Sequence, residues 1–250
     1  MAEKEKEIKV VDRQNYGNKY LKRGTYKFLA NEPVVPITVY EAPSAAVHYP
    51  IVFTKDDNGY HLGVLMGLFP KSNLFVSQDG KFLGKYVPAI VTAYPFKIAN
   101  IKDSNKAVLC IEEPNDFVTE EKTDFPFFNE DGTHSERLKA MLEFLNRLQT
   151  NFLVTNNIIE KIEECDLIVP LDIKVKISDM DRTIKGLYQV SEKALNELDD
   201  DKFLELRKIG GLSLIYCHLV SLNNFTFLKD MLNLKLRVDA PQQNTTFKNN

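Results

Sequence analysis

The strongest constraint in this chain is a turn. Asp57-Asn58-Gly59 stands between two apolar, strand-like runs, HYPIVFT from His48 and YHLGVLMGLF from Tyr60. Asn-Gly tolerates the left-handed backbone that a tight hairpin needs, so the two runs are expected to pair antiparallel. The pattern then repeats. NLFVSQ and KFLGKYV flank Asp79-Gly80, and AYPFKIANI and KAVLCIEE flank KDSN. A two-residue turn at Asp79-Gly80 would set Val76 against Leu83. A four-residue turn with Gly80 left-handed would shift that register by one. Three successive hairpins over residues 48–113 predict an antiparallel meander. A fourth is predicted where LDIKVKIS and RTIKGLYQV alternate around DMD.

Helical patterns dominate the second half. Thr133 with Glu136 reads as a capping box opening a helix. Leu138, Met141, Leu145, Leu148 and Phe152 share one face of it. A separate helix is expected over 154–165. Ser191 is expected to cap EKALNEL, with Val190 and Leu195 as a hydrophobic staple. DDKFLELRKIGG reads as a short helix closed by Gly210 or Gly211. The last helix, LSLIYCHLVSLNNFTFLKDMLN, would bury Leu212, Ile215, Leu219 and Leu222. Strands followed by helices give an α+β fold class, an antiparallel β-meander packed against several helices.

With 250 residues and 44% hydrophobic content, the chain can bury a sizeable core. No repeat or linker divides it. Residues 1–15 are expected to be a flexible arm, 16–240 a single domain, and 241–250 a disordered tail. The N-terminus has no apolar segment of signal-peptide length, and no run is long enough to span a bilayer. A soluble, cytoplasmic protein is expected, with signal-less export to the cell surface as the alternative.

Net charge is −3, from 32 basic and 35 acidic residues, which argues against general nucleic-acid affinity. NYGNKYLKRGTYKF does interleave Lys19, Lys22, Arg23 and Lys27 with Tyr16, Tyr20, Tyr26 and Phe28. Such a patch can bind phosphates and stack bases, but it stands in an acidic chain without an RNA-binding signature. Nucleic acid is therefore not an expected partner.

A search for chemistry returns little. The histidines, His48, His61, His134 and His218, have no zinc-site spacing with each other or with Cys110, Cys165 and Cys217. Neither metal nor cofactor is expected. There is no G-x-S-x-G, P-loop or dinucleotide motif, and catalysis is left open. The three cysteines sit in apolar contexts and read as buried thiols, and His218 beside Cys217 reads as a hydrogen-bonded core histidine. The remaining candidate is an aromatic–proline pair of clusters, Tyr86-Val87-Pro88 and Tyr94-Pro95-Phe96. Proline marks strand starts and bends, and aromatics there are ordinarily packing. The functional alternative is a partner-binding rim made by Tyr86, Tyr94 and Phe96.

The ordered segments AAVHYPIVF, GLFPKSNLFVSQDGKFLGKYVPAIVTAYPF, AVLCIEE, EDGTHSERLKAMLEFL, KGLYQVSEKAL and GGLSLIYCHLVSLNNF together resemble the bacterial SapC family from about Tyr26 to Leu228. The order of YPIVF, NLFV-x-x-DG, YVPA…YPF and LIY-x-HL-x-SL carries the match. Many members have arginines before YPF, where this chain has Thr92-Ala93. The family name comes from a surface-array (S-layer) gene locus, and the resemblance supplies no catalytic residues. It implies a non-catalytic accessory protein that binds a protein or peptide partner in surface-layer biogenesis. An enzyme or enzyme subunit acting on peptides and a structural S-layer component are the alternatives. Oligomeric state is left open.

Overall fold

The computed structural model describes residues 7–100, 107–177 and 180–239. In chain order the elements are β1 (Glu7–Val10), α1 (Arg13–Tyr16), β2 (Tyr20–Leu21), β3 (Val34–Pro36), α2 (Ala42–Ala46), β4 (Ile51–Asp56), β5 (Gly59–Leu65), α3 (Ala89–Ala93), β6 (Phe96–Asn100), β7 (Ala107–Glu113) and β8 (Val118–Thr119). There follow α4 (Glu136–Glu164), β9 (Ile168–Ile177), β10 (Met180–Val190), α5 (Glu192–Asn196), α6 (Asp200–Lys208), α7 (Gly211–Ser221) and α8 (Asn224–Asp239). Every strand pairing is antiparallel, and helices cover the sheets, an α+β architecture.

Three of the four expected strand pairs form, β4 with β5, β6 with β7 and β9 with β10, but they are shared among separate sheets, and NLFVSQ and KFLGKYV are not strands. A five-stranded sheet has the order β3-β5-β4-β10-β9, a three-stranded sheet the order β1-β7-β6, and β2 pairs with β8. The Asn58-Gly59 hairpin joins β4 to β5, with Gly59 at φ 114°. Around Asp79-Gly80 the arms make a single bridge, Val76 to Phe82. Gly80 sits at φ 82° and its N–H donates to the Ser77 carbonyl at 2.9 Å, so the four-residue turn is the one adopted. The KDSN tip and the β9–β10 tip lie largely outside the described residues. The meander is interrupted because Pro88 and Pro95 bracket the short helix α3, which carries the chain from one sheet to the next. Proline before a strand ends one ladder and starts another.

Two apolar cores result. The larger lies on the five-stranded sheet and includes Tyr49, Ile51, Phe53, Val64, Met66, Ile159 and Ile215. The smaller lies on the three-stranded sheet and includes Tyr16, Phe96, Ile111, Phe127, Leu138 and Leu148. Helix α4 serves both. Its first half buries Leu138, Leu145 and Leu148 in the smaller core, and its second half buries Ile158, Ile159 and Ile162 in the larger. At about 1.5 Å per residue its 29 residues reach roughly 43 Å.

Several expectations are corrected by packing. The two helices expected over 133–165 are one, because neither glycine nor proline interrupts it and the apolar stripe continues through Thr155 to Ile162. Its cap is Ser135, whose Oγ accepts from the Leu138 N–H, not Thr133. Thr133 is held instead by Asp131, which accepts both its N–H and its hydroxyl. The last helix is two, α7 and α8, bent by 42°. The most buried face of α7 is Leu214, Ile215, His218 and Ser221, rather than Leu212, Leu219 and Leu222. Part of the expected 1–15 arm is structured: β1 pairs with β7, and Val11 is buried. Among the described residues no single helix is long and apolar enough to cross a membrane.

Candidate functional site

The segment from Tyr86 to Phe96 runs between the two cores, and its three candidate aromatics go to three places. Tyr86 leans on the larger core, and its hydroxyl donates to Glu41 Oε1 at 3.0 Å. Burial and the Glu41 charge push its pKa upward. Phe96 is 5% exposed and belongs to the smaller core, 6.1 Å from the Phe127 ring. Tyr94 is half-buried between them. It stacks on Phe28 at 3.7 Å with an interplanar angle of 8° and meets Phe117 edge-on at 5.5 Å. Burial, aided by the charges of Glu112 and Asp116, pushes its pKa up to about 12, so it remains a neutral phenol across the physiological range.

Tyr94 and Phe96 line the same groove of about 260 Å³, and Tyr86 does not. Phe28, Val34, Pro36 and Ile90 complete its apolar wall, and Lys97, ion-paired with Glu112, stands at its polar end. The groove lies between two sheet edges. β3 pairs only with β5, and β6 only with β7, among the described residues. Ladder alternation settles which backbone groups remain. Met66 donates to the Pro33 carbonyl and Ile37 to the Leu62 carbonyl, so the odd-numbered residues of β3 face β5. The N–H and C=O of Val34 therefore point outward. Glu112 donates to the Pro95 carbonyl, which leaves the main chain of Phe96 and Ile98 pointing away from β7.

A second, larger cavity of about 420 Å³ lies along α4, lined by Thr38, Tyr40, Glu41, Phe144, Arg147 and Asn151 among others. Glu41 at its floor is 8% exposed. Its carboxylate accepts from the Thr38 N–H and hydroxyl, both at 2.9 Å, from Tyr86, and from the Ala89 N–H at 2.7 Å. Four donors fill the carboxylate's lone-pair directions, so it acts as a clamp joining the 38–41 turn to α3.

Sequence reasoning found His218 but missed what it does with Ser221. β4 and β10 pair at Phe53 and Tyr188. Continuing that register by two residues would set Ile51 against Val190. There α7 inserts instead. Val190 donates to His218 Nε2 at 3.0 Å, and His218 Nδ1 lies 2.9 Å from the Ile51 carbonyl. Ile51 in turn donates to Ser221 Oγ at 2.8 Å, and Ser221 donates to the His218 carbonyl. The i, i+3 spacing of His218 and Ser221 was the available signal. Burial holds the ring's pKa down to about 4, so it is neutral, as its acceptor role requires.

Cys110, Cys165 and Cys217 are free thiols, each with its pKa raised by burial, and none is poised as a nucleophile. Among the described residues no three His, Cys, Asp or Glu side chains are placed to hold a metal ion.

The fold and groove thus define a class: an α+β protein of antiparallel sheets with an aromatic cleft between two sheet edges. The chain belongs to the SapC family, whose model matches residues 11–228, a span that contains the groove, the Glu41 clamp and the His218–Ser221 pair. No curated protein and no solved structure matches it.

Proposed function

We propose that this protein is a non-catalytic accessory protein that holds an extended segment of a protein or peptide partner in the groove between β3 and β6. The observation that carries this reading is the convergence of two unpaired strand edges on a cleft floored by the Phe28–Tyr94 stack. An extended chain can hydrogen-bond to such an edge and place an apolar side chain against the aromatics. In the surface-layer setting that the family resemblance implies, the partner is a surface-layer or secreted polypeptide met inside the cell. The competing reading, an enzyme acting on peptides, would draw on the cavity above Glu41. A carboxylate whose acceptor positions are already filled is poorly placed to take a substrate proton.

Tyr94→Ala tests the reading. Half-buried and stacked on one face, Tyr94 should contribute only about 1–2 kcal/mol to stability. Binding to a panel of extended synthetic peptides should fall by at least about tenfold. A variant that melts near the parent and binds every such peptide equally well overturns the groove. Cell fractionation tests the location: the reading expects the protein with the cytoplasm, and its recovery from the outer cell surface would favour a structural surface-layer component.

A further inference from the structure

The groove uses one edge of the three-stranded sheet. The opposite edge is β1, and it is built differently from the edges β3, β6 and β9. Natural sheets blunt their edges with proline, bulges or charge, because an unpaired edge templates further pairing. β3 contains Pro36, β9 contains Pro170, and β6 begins directly after Pro95. β1, Glu-Ile-Lys-Val, has no proline, and its half-exposed lysine is shared between Glu113 of the neighbouring strand at 2.8 Å and Glu7 at 3.8 Å, leaving ammonium protons for a further carboxylate. All four residues are exposed, with Ile8 at 59% and Val10 at 43%. Val11 donates to the Leu109 carbonyl, so the odd-numbered residues face β7. The N–H and C=O groups of Ile8 and Val10 therefore point outward.

The geometry points to β1 as the interface with a second copy of this chain, paired antiparallel about a two-fold axis at Ile8 to give one continuous six-stranded sheet. A two-fold contact needs a patch complementary to itself, and the charges of β1 select the register. A pairing centred on Glu7 or on Lys9 sets like charges directly opposite each other. A pairing centred on Val10 sets Lys9 against Val11, which is already buried. Centred on Ile8, Glu7 of each copy faces Lys9 of the other, and opposite charges across a non-hydrogen-bonded pair stabilise it. The two Ile8 residues then exchange both main-chain hydrogen bonds. Because β1 and β6 are opposite edges of one sheet, such a dimer carries a free groove at each end.

Light scattering on the full-length protein, over a range of concentrations, reads the mass directly, and a concentration-dependent dimer is expected. Ile8→Pro removes an N–H that bonds nothing among the described residues, so that variant should melt like the parent and run as a monomer. Glu7→Lys, which sets lysine against Lys9 of the second copy, should weaken the dimer by roughly tenfold. Ile8→Cys, with Cys165→Ser and Cys217→Ser, fixes the register: its Cα atoms would lie about 5.5 Å apart across the axis, within disulfide reach. It should form a homodimeric disulfide on mild oxidation, whereas Val10→Cys in the same background should not. A protein that remains monomeric at the highest concentration, a dimer untouched by Ile8→Pro, or a dimer linked through Val10→Cys alone overturns the assignment. Loss of dimer with peptide binding retained leaves the groove reading intact, so the two proposals fail separately.

Discussion

The two cores share one helix and are closed in opposite ways. The larger is sealed from inside: α7 drives His218 and Ser221 into the seam between β4 and β10 and replaces main-chain bonds with side-chain ones. The smaller is a three-stranded sheet under the first half of α4, and both of its edges are unpaired among the described residues. A wide sheet whose central seam takes side-chain partners is committed to one arrangement, because each displaced side chain leaves a buried polar group unpaired. A narrow sheet with open edges keeps hydrogen-bonding capacity for something outside the subunit. The stable half therefore anchors the molecule, and the open half carries the surfaces on which the functional readings rest.

The largest expected effect breaks the seal. His218→Ala leaves the Val190 N–H and the Ile51 carbonyl without partners and opens a void beside Phe53, whose ring lies 5.2 Å from the imidazole. A loss of about 4 kcal/mol is expected in denaturant unfolding. A loss below about 1 kcal/mol would mean that the seam closes by itself.

The same residue makes the larger core pH-sensitive. Below about pH 6.5 the unfolded chain binds a proton at His218, while the folded ring, held down to about 4, does not. Stability should therefore fall as pH drops from about 6.5 to about 4 and be insensitive to this group below that. The span of about 2.5 pKa units corresponds to roughly 3 kcal/mol. The shift comes from burial, opposed by the bond to Ile51, and no charge on α2, α4, α6, β4 or β10, which pack around α7, contributes to it. His218→Ala should flatten the profile in that window, and an unchanged slope would place the titration elsewhere.

In the smaller core, Phe96→Ala should cost about 3 kcal/mol, at the low end for a buried phenylalanine because the thin core can partly collapse around it. Amide exchange sharpens the comparison. Protection should drop in β6, β7 and the Leu138–Leu148 half of α4, and stay high in β4 and β5. Uniform loss along α4 would show that the two cores open as one unit.

A smaller effect than these is expected at the turn that leads out of the larger core. Gly80 sits at φ 82°, and a Cβ there would lie 2.8 Å from the Thr25 Cβ. Gly80→Val should lower stability by about 2 kcal/mol, and an unchanged melting temperature would mean the turn re-forms without its left-handed residue.

Much of this was legible in local chemistry. Asn58-Gly59 announced its hairpin, Ser191 and the Val190–Leu195 pair announced α5, and the Ser191 Oγ does accept from the Ala194 N–H. The Asp79-Gly80 turn was legible down to its two possible registers. The candidate site was legible only in part. YVPA…YPF marked the right segment, but nothing local distinguishes Phe96, which faces the smaller core, from Tyr94, which stacks on Phe28, distant in sequence. Thr133 and Ser135 are comparable caps by type, and Asp131 decided between them by taking Thr133.

By itself, then, the sequence determined most of the long elements, the Asn58-Gly59 and Asp79-Gly80 turns and the family, because these depend on periodicities and backbone preferences within a few residues. The tertiary structure decided that the hairpins belong to separate sheets and that one helix spans two cores. It decided that His218 and Ser221 occupy the β4–β10 seam, and that two strand edges converge on Tyr94. Each of those depends on the distant groups that meet a buried polar atom or an open edge, and burial free energy is gained only when the whole chain has closed.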